Sequence, residues 1–286
     1  MAHRVDLHVH SSCSDGKYSP TQVVSMAAAS GVDVLSLCDH DSIDGVIPAC
    51  EAGEDAGVAL LAGVEFSCVW EGAKRTYTDI HMLGYGFSPE DVTLQGALRE
   101  FQAFRAARNE RIVANVNTKL LREGRRGLDF AAVQQRSGGS IGRPHIAMEL
   151  IARGYVADVE EAFRRYLVPC NVEKRFFPVE EAIAMLHAAG GVAVLAHPPY
   201  ITPARAEMQT ILDALSDIGL QGVEVYNNGA TRADIEWYLG QARYRGLVAT
   251  GGSDFHGLED GGAKLGRVRG YGDIPRNCYT QLQALL

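Results

Sequence analysis

The feature that most constrains this chain is a short apolar strand ending in two histidines, Val5-Asp6-Leu7-His8-Val9-His10. Side chains at positions i and i+2 of a strand point to the same side, so His8 and His10 can face one point in space. Taken alone, the pair fits a solvent-exposed strand end as well as a binding site. Four further predicted strands also end in a residue type that commonly binds metals, and this recurrence indicates a metal-binding site.

Predicted strands and helices alternate along most of the chain, a pattern typical of a parallel sheet. The predicted strands cover residues 5–10, 34–38, 59–64, 80–85, 192–196, 222–226 and 247–250. Ser19-Pro20-Thr21-Gln22 predicts a helix start, with Ser19 as the N-cap, Pro20 at the first position and Gln22 completing a capping box. Seven strands followed mostly by helices favour a (β/α)-barrel.

The alternation stops in the middle of the chain, where only helical periodicity is found. We therefore predict an α/β fold, a distorted (β/α)7 barrel with an all-helical insertion. Residues 1–92 and 170–286 are expected to form the metal-binding barrel, and residues 93–169 the insertion that covers its open end. Within the insertion, helices are expected at 129–135 and 141–152, and another is expected to start at the cap Asp158.

Composition excludes some classes of function. The 286 residues are 47% hydrophobic and 22% charged, as in ordinary globular proteins, and the net charge of −8 argues against a broad basic face for nucleic acid. No apolar run is long enough to cross a membrane, the N-terminus has no signal-peptide pattern, and the six cysteines form no CxxC pair. We expect a cytoplasmic protein with reduced thiols, no membrane association and no obligate protein partner.

Six of the nine histidines fall at or near predicted strand ends, and three carboxylates accompany them. The set is His8, His10, Asp15, His40, Glu65, His81, His197, Asp254 and His256. Because the carboxyl ends of parallel barrel strands meet on one side, we expect these side chains to converge. Imidazole and carboxylate ligands suit zinc, iron or manganese, and nine ligands exceed the needs of one ion. Two or three divalent ions are therefore predicted, with Glu65 as a bridging ligand, whereas His3 and His187 lack such a context.

The ordered motifs resemble the PHP (polymerase and histidinol phosphatase) family over essentially the whole chain. They are His8-Val9-His10, Asp39-His40, Glu65, His81, Ala196-His197-Pro198 and Ser253-Asp254-Phe255-His256. The resemblance implies three metal positions, with manganese expected and zinc or iron as alternatives. The first would be formed by His8, His10, Glu65 and Asp254, the second by Glu65, His81 and His197, and the third by Asp15, His40 and His256. Asp15 stands where some relatives have histidine.

A site of this kind predicts phosphoester hydrolysis. Paired ions can lower the pKa of a shared water and stabilise in-line displacement at phosphorus, so a metal-activated hydroxide is the expected nucleophile. Glu65, His197 and Asp254 are the expected catalytic residues, the last two as candidates to assist the leaving group.

The insertion, with Gly142-Arg143-Pro144-His145, further resembles a bacterial subgroup of small phosphoesterases that act on nucleoside 3′,5′-bisphosphates or on RNA from its 5′ end. The expected reaction is removal of the 3′-phosphate to give a nucleoside 5′-monophosphate. The alternatives are a 5′-to-3′ exoribonuclease acting on short 5′-phosphorylated RNA, a histidinol phosphatase, an amidohydrolase and a non-catalytic module stabilised by metal.

A second phosphate on the substrate is expected to be bound by arginine. Arg143 is the first candidate because Gly142 and Pro144 place it in a defined turn before a helix. Arg105 and Arg108, three residues apart on one helical face, are next, with a solvated helix face as the alternative. His145 is expected either to contact substrate or to cap and pack locally.

Overall fold

The computed structural model describes residues 4–73, 75–137, 142–257 and 262–286. The chain divides into two compact units, Met1–Leu98 with Phe176–Leu286, and Arg99–Arg175. His3 and Ile141, the expected start of one insertion helix, lie outside the described residues. The predicted roles of a metal-binding barrel and a covering insertion stay predictions.

The strands and helices follow one another in the order expected for a mixed α/β protein. The strands are β1 (Arg4–Val9), β2 (Val32–Leu37), β3 (Ala59–Glu71), β4 (Thr76–Tyr85), β5 (Phe177–Pro178), β6 (Val192–Leu195), β7 (Gly222–Tyr226), β8 (Val248–Gly251), β9 (Arg267–Val268) and β10 (Gly272–Asp273). The helices are α1 (Pro20–Ala29), α2 (Val46–Ala56), α3 (Val92–Arg122), α4 (Phe130–Ser137), α5 (Arg143–Ala152), α6 (Val159–Ala162), α7 (Val179–Ala188), α8 (Arg205–Asp217), α9 (Arg232–Arg245) and α10 (Asn277–Gln283).

The main sheet has the strand order β1-β2-β3-β4-β6-β7-β8, and β5 pairs with β3. Its pairs are parallel except that β4 runs antiparallel to both β3 and β6. The expectation of a fully parallel sheet is therefore wrong at β4. Only residues 72–75 connect β3 to β4, whereas a parallel crossover needs about a dozen residues or more.

The β3–β4 hairpin is also longer than the sequence pattern predicts. Strand β3 continues to Glu71 instead of ending before Glu65, and β4 begins at Thr76 instead of Ile80. As a result, Glu65 lies inside β3, so the prediction that it ends its strand is wrong, whereas His81 lies inside β4 as predicted.

The two ends of the sheet approach one another beyond β8. The Asp254 N–H donates to the His8 carbonyl at 2.8 Å, and the His10 N–H donates to the Phe255 carbonyl at 2.9 Å. Val9 and Phe255 form an isolated parallel bridge rather than a continuous ladder. The structure therefore shows a mixed α/β fold with a mostly parallel sheet, and a closed seven-stranded barrel stays a prediction.

Local capping signals were reliable guides to helix ends. The Ser19 hydroxyl accepts the Gln22 N–H, and the Gln22 side chain accepts the Ser19 N–H, which confirms the predicted capping box. Asp158 caps α6 by accepting the Glu161 N–H at 2.8 Å, as expected.

Each unit has its own apolar packing. In the first unit, side chains of β1, β2, α1 and α2 pack together, including Val9, Val23 and Leu35. In the second unit, Ile112, Leu150 and Tyr166 belong to a separate buried cluster. None of the six cysteines forms a disulfide, and no helix within the described ranges is long and apolar enough to cross a membrane.

Candidate metal centre

Strand β1 brings the two opening histidines to one buried point. His8 and His10 are both fully buried, and their Nε2 atoms lie 3.1 Å apart. The segment after β8 crosses β1 at this level, where a Cβ atom on Gly252 would lie 2.1 Å from the His8 Cβ. Only glycine permits this close approach, which carries Asp254 to the same point.

Glu65 lies at the centre of the cluster, with its side chain 1% exposed. Its Oε2 atom lies 3.4 Å from His8 Nε2, 3.3 Å from His10 Nε2 and 3.0 Å from His40 Nδ1. Its Oε1 atom lies 2.9 Å from both His81 Nδ1 and His197 Nε2. One carboxylate thus lies within 3.4 Å of nitrogen atoms from five imidazoles.

The remaining predicted ligands lie around this centre. Asp254 Oδ1 lies 3.2 Å from His10 Nε2 and 3.6 Å from His8 Nε2. Asp15 Oδ1 lies 3.2 Å from His256 Nε2, and its Oδ2 lies 3.9 Å from His40 Nε2. All nine residues singled out from the sequence therefore form one continuous network in the first unit.

Three overlapping groups could each hold an ion, because their candidate ligand atoms lie within 4.8 Å of one another. The groups are His8, His10 and Glu65; His40, Glu65 and His81; and His10, Asp15, His40 and His256. The grouping differs from the implied one, since His40 also joins Glu65 and His81, and His10 also faces Asp15. The division of nine ligands among the ions stays a prediction.

Backbone strain is concentrated at this cluster. The described non-glycine residues with positive φ are Asp41 (53°), Asp79 (63°), His197 (25°) and Asp254 (52°). Each is a predicted ligand or lies within two residues of one. Such conformations cost about 1–3 kcal/mol each and persist where the surrounding structure enforces them, typically at functional sites.

The hydrogen-bonding capacity of His8 tests whether a cation fits here. Its Nδ1 lies 2.9 Å from Glu224 Oε1, and its Nε2 faces Glu65 Oε2. A neutral imidazole carries only one N–H, so one of these nitrogens would direct its lone pair at a carboxylate. The Glu65 Oε2 atom is also buried, and although three imidazole nitrogens lie within 3.4 Å of it, none makes a hydrogen bond of suitable geometry. A divalent ion between the nitrogens and carboxylates fits this donor set, because all these atoms can act as ligands.

The pKa values of Glu65, His10 and His81 also indicate that the cluster favours positive charge near its carboxylates. Burial alone would raise the pKa of the Glu65 carboxyl, but His40, His81 and the other imidazoles hold it well below its usual range. Burial opposes the charged form of His10, yet Asp254 and Glu65 raise its pKa to about 10. The pKa of His81 is likewise raised to about 9, against the effect of burial, by Glu65 and Asp79.

Several carboxylates that support the cluster had no predicted role, including Asp39, which the sequence analysis named only as part of a motif. Asp39 accepts the Ser11 N–H at 2.8 Å and the Ser14 hydroxyl at 2.6 Å, which orders the loop leading to Asp15. Asp6 accepts the Ser253 N–H at 2.8 Å, beside Asp254.

Glu224, to which the sequence analysis gave no role, is fully buried and contacts two of the predicted ligands. A detectable signal existed for Asp6 and Glu224, because each is an acidic residue flanked by apolar residues in a buried strand. An ionised carboxylate in such a position requires nearby hydrogen-bond donors or positive charge.

The four residues proposed for substrate binding belong to the second unit. Arg108 is mostly buried, and its guanidinium donates to the carbonyls of Val172 and Glu173 and to the Asn171 side chain. His145 Nδ1 accepts the Gly142 N–H at 3.0 Å at the start of α5, as the local-capping alternative expected.

The other two arginines have fewer described contacts. The Arg143 guanidinium lies 5.4 Å from the centre of the Phe163 ring, and Arg105 is half-buried on α3. Substrate contact by any of the four residues stays a prediction.

Comparison with known proteins agrees with the class that the fold and cluster define. The PHP domain matches residues 6–168, and the chain belongs to this family of metal-dependent phosphoesterases. It is 31% identical over 284 residues to a Chromobacterium violaceum 3′,5′-nucleoside bisphosphate phosphatase, covering 98% of this chain and 96% of that protein. It is also 32% identical over 259 residues to a Haemophilus influenzae 5′-3′ exoribonuclease, covering 90% and 91% respectively.

The fold is likewise similar to a solved structure of a proposed metal-dependent phosphoesterase from Bifidobacterium adolescentis. The TM-score is 0.80 at 27% identity, with 100% of this chain and 97% of that chain covered. The family match and the buried His/Glu cluster agree with metal-dependent phosphoester hydrolysis.

Proposed function

We propose that this protein removes the 3′-phosphate of nucleoside 3′,5′-bisphosphates, giving a nucleoside 5′-monophosphate and phosphate. The observation that carries the catalytic part is the Glu65 carboxylate shared by five buried imidazoles. The substrate part is supported by similarity along nearly the whole chain to the C. violaceum bisphosphate phosphatase.

The residues would divide the work as follows. His8, His10, Glu65 and Asp254 would hold one ion and His81, His197 and the shared Glu65 a second, with Asp15, His40 and His256 around a third position. Divalent ions, with manganese proposed, would lower the pKa of coordinated water and offset negative charge on the phosphoryl group when bound.

Asp254 and His197 are the proposed aids to the departing alkoxide. Asp254 remains 30% exposed while His8 and His10 are sealed, so its carboxylate can face an incoming substrate. Its pKa lies below the usual range: burial opposes the charge, but His8 and His10 favour it. At neutral pH it is therefore ionised and has no proton to give, so it could aid the alkoxide only as a hydrogen-bond acceptor that orients a proton-donating water.

The phosphate that stays on the product needs a cationic partner. We propose Arg143 as the first candidate for this partner. Two of the other candidates already have local roles, because His145 caps the start of α5 and Arg108 donates to the carbonyl of Val172. Arg105 is the next candidate. Each would bind the retained phosphate through charge-assisted hydrogen bonds.

A 5′-to-3′ exoribonuclease acting on short RNA is the second candidate. It is supported by the comparable similarity to the H. influenzae exoribonuclease. The same centre could cleave the phosphodiester next to a bound 5′-phosphate. A non-catalytic module is less well supported, because all nine predicted ligands are present and in contact through one network.

The test is hydrolysis by manganese-loaded protein of adenosine 3′,5′-bisphosphate, 5′-AMP, 3′-AMP and a short 5′-phosphorylated RNA, with the products separated by chromatography. We expect the bisphosphate to be the best substrate and 5′-AMP its product. The Glu65→Gln protein, purified in parallel, controls for contaminating phosphatases. Formation of 3′-AMP from the bisphosphate, or no hydrolysis of it, would overturn the proposal. Comparable mononucleotide release from RNA would favour the exoribonuclease.

A further inference from the structure

Glu224 is a fully buried acidic residue in the middle of β7, and both of its carboxylate oxygens are engaged. Oε1 lies 2.9 Å from His8 Nδ1, and Oε2 accepts the backbone N–H of His197 at 2.8 Å. The residue itself contributes no atom to the three groups that could hold an ion. Its contacts are instead with two residues proposed to bind different ions.

The contact with His8 determines which ring nitrogen can bind a metal. An ionised carboxylate can only accept hydrogen bonds, so when His8 binds a metal its single ring proton lies on Nδ1, facing Glu224. The Nε2 lone pair is then directed at the point where His10 Nε2, Glu65 Oε2 and Asp254 Oδ1 lie within 3.1–3.6 Å. Carboxylates that bond the non-ligating nitrogen in this way fix the tautomer and ring orientation of histidine ligands.

The contact with His197 acts on the backbone. His197 has φ 25° and ψ 61°, a sparsely populated conformation for a residue with a side chain. By accepting its N–H, Glu224 helps to hold this strained residue, whose Nε2 lies 2.9 Å from Glu65 Oε1. The rings of His8 and His197 are also nearly parallel, with centroids 5.8 Å apart.

We propose that Glu224 is a positioning residue that fixes two ligands of different metal positions through a single side chain. It sets the tautomer of His8 and the backbone of His197, and so links the two positions. This inference rests on the proposed metal centre but not on the proposed substrate. It requires two acceptor oxygens, because both partners are donors.

The Glu224→Gln variant tests this requirement with almost no change in size. Glutamine offers one acceptor oxygen and one NH₂ group, so it cannot accept from His8 and His197 together. If the NH₂ group faces His8, the ring proton moves to Nε2, the nitrogen needed for the metal. We expect manganese affinity to fall about 10- to 100-fold, the usual effect of losing such a partner.

The protein is first stripped of metal with a chelator. Manganese is then added in steps, and its binding is measured as the loss of the electron paramagnetic resonance signal of the free ion. Glu149→Gln is the matched control, because Glu149 is a buried glutamate of the second unit that bonds Arg153. Thermal unfolding in chelator checks that both variants fold. Equal affinity in wild type and Glu224→Gln would overturn the positioning role, whereas a wild type that binds no manganese would overturn the metal centre itself.

A second measurement needs no change at Glu224. The measurement is nuclear magnetic resonance of zinc-loaded wild-type protein with ¹⁵N-labelled histidine. The His8 resonances are identified because they are absent from the His8→Asn protein. They should show a protonated Nδ1 and an unprotonated Nε2. The opposite tautomer would refute the proposal even if Glu224→Gln fails to fold. A general loss of packing would not by itself exchange the protonated nitrogen of one ring.

Discussion

Removal of the Glu65 charge is the sharpest test of the centre. Its two oxygens lie 2.9–3.4 Å from five imidazole nitrogens, and the side chain is only 1% exposed. Glu65→Ala removes the shared ligand and leaves a cavity, whereas Glu65→Gln keeps the size and removes only the charge. We expect both variants to lose the ions, because a neutral amide cannot replace a bridging carboxylate.

The magnitude follows from ligand linkage. At a free manganese concentration 100 times its Kd, one ion stabilises the wild-type fold by about 2.7 kcal/mol. For a chain of 286 residues, that corresponds to a rise in Tm of roughly 4–5 °C. Both Glu65 variants should show a rise below about 1 °C. Their kcat/KM should fall at least ~1000-fold, since the centre is expected to supply about 4 kcal/mol or more of transition-state stabilisation.

The assay compares thermal unfolding with and without manganese after chelator treatment, together with metal content by mass spectrometry. Glu149→Gln again serves as the control for loss of a buried glutamate charge outside the cluster. If Glu65→Gln keeps the full manganese-dependent rise in Tm and a tenth or more of wild-type activity, then Glu65 does not bridge the ions.

Three further substitutions separate substrate contacts from structural ones. Arg108→Ala should lower the free energy of unfolding measured in urea by about 3 kcal/mol, because it leaves two backbone carbonyls and Asn171 without their charged donor. It should leave KM unchanged, and a raised KM at full stability would contradict this. Arg143→Ala should raise KM for bisphosphates, because about 2–3 kcal/mol of charge-assisted hydrogen bonding is lost. The KM for 4-nitrophenyl phosphate, which has no second phosphate, should not change. An unchanged KM for bisphosphates would exclude Arg143 from substrate binding. Tyr200 is 64% exposed, and its ring lies 5.4 Å from that of His197, so it is placed to stack on a nucleotide base. Tyr200→Ala should therefore raise KM for nucleotides about 5- to 150-fold, whereas Tyr200→Phe should not. Equal KM values for both variants would exclude stacking.

Much of the centre could be predicted because its ligands belong to local patterns. His8 and His10 are two residues apart at the end of a buried strand, and His197 and Asp254 lie within three residues of the ends of β6 and β8. Capping residues such as Ser19 and Asp158 act within a few residues of themselves, so they too were found correctly. In each case the predictive signal lies in residues that are close together in the chain.

The pairing of β3 with β4 could not be predicted in the same way. A strand's own sequence does not state whether its partner runs parallel or antiparallel, and here the short connection between the strands decides the direction. The prediction that Glu65 ends its strand was wrong because a metal ligand was assumed to lie at a strand end. Glu65 and His81 nevertheless meet, since the antiparallel register places His81 opposite Ser67, two residues from Glu65.

Glu224 shows why ligand motifs alone describe only part of such a centre. The His8 ring lies between two carboxylates, with Glu224 at Nδ1 and Glu65 at Nε2, and a neutral ring can donate to only one of them. When the first carboxylate holds the proton on Nδ1, a cation between Nε2 and the second carboxylate can satisfy both of those atoms. On this proposal the metal centre and its supporting hydrogen bonds depend on each other, and Glu224, which has no ligand motif around it, determines how tightly the histidine that it orients binds the metal.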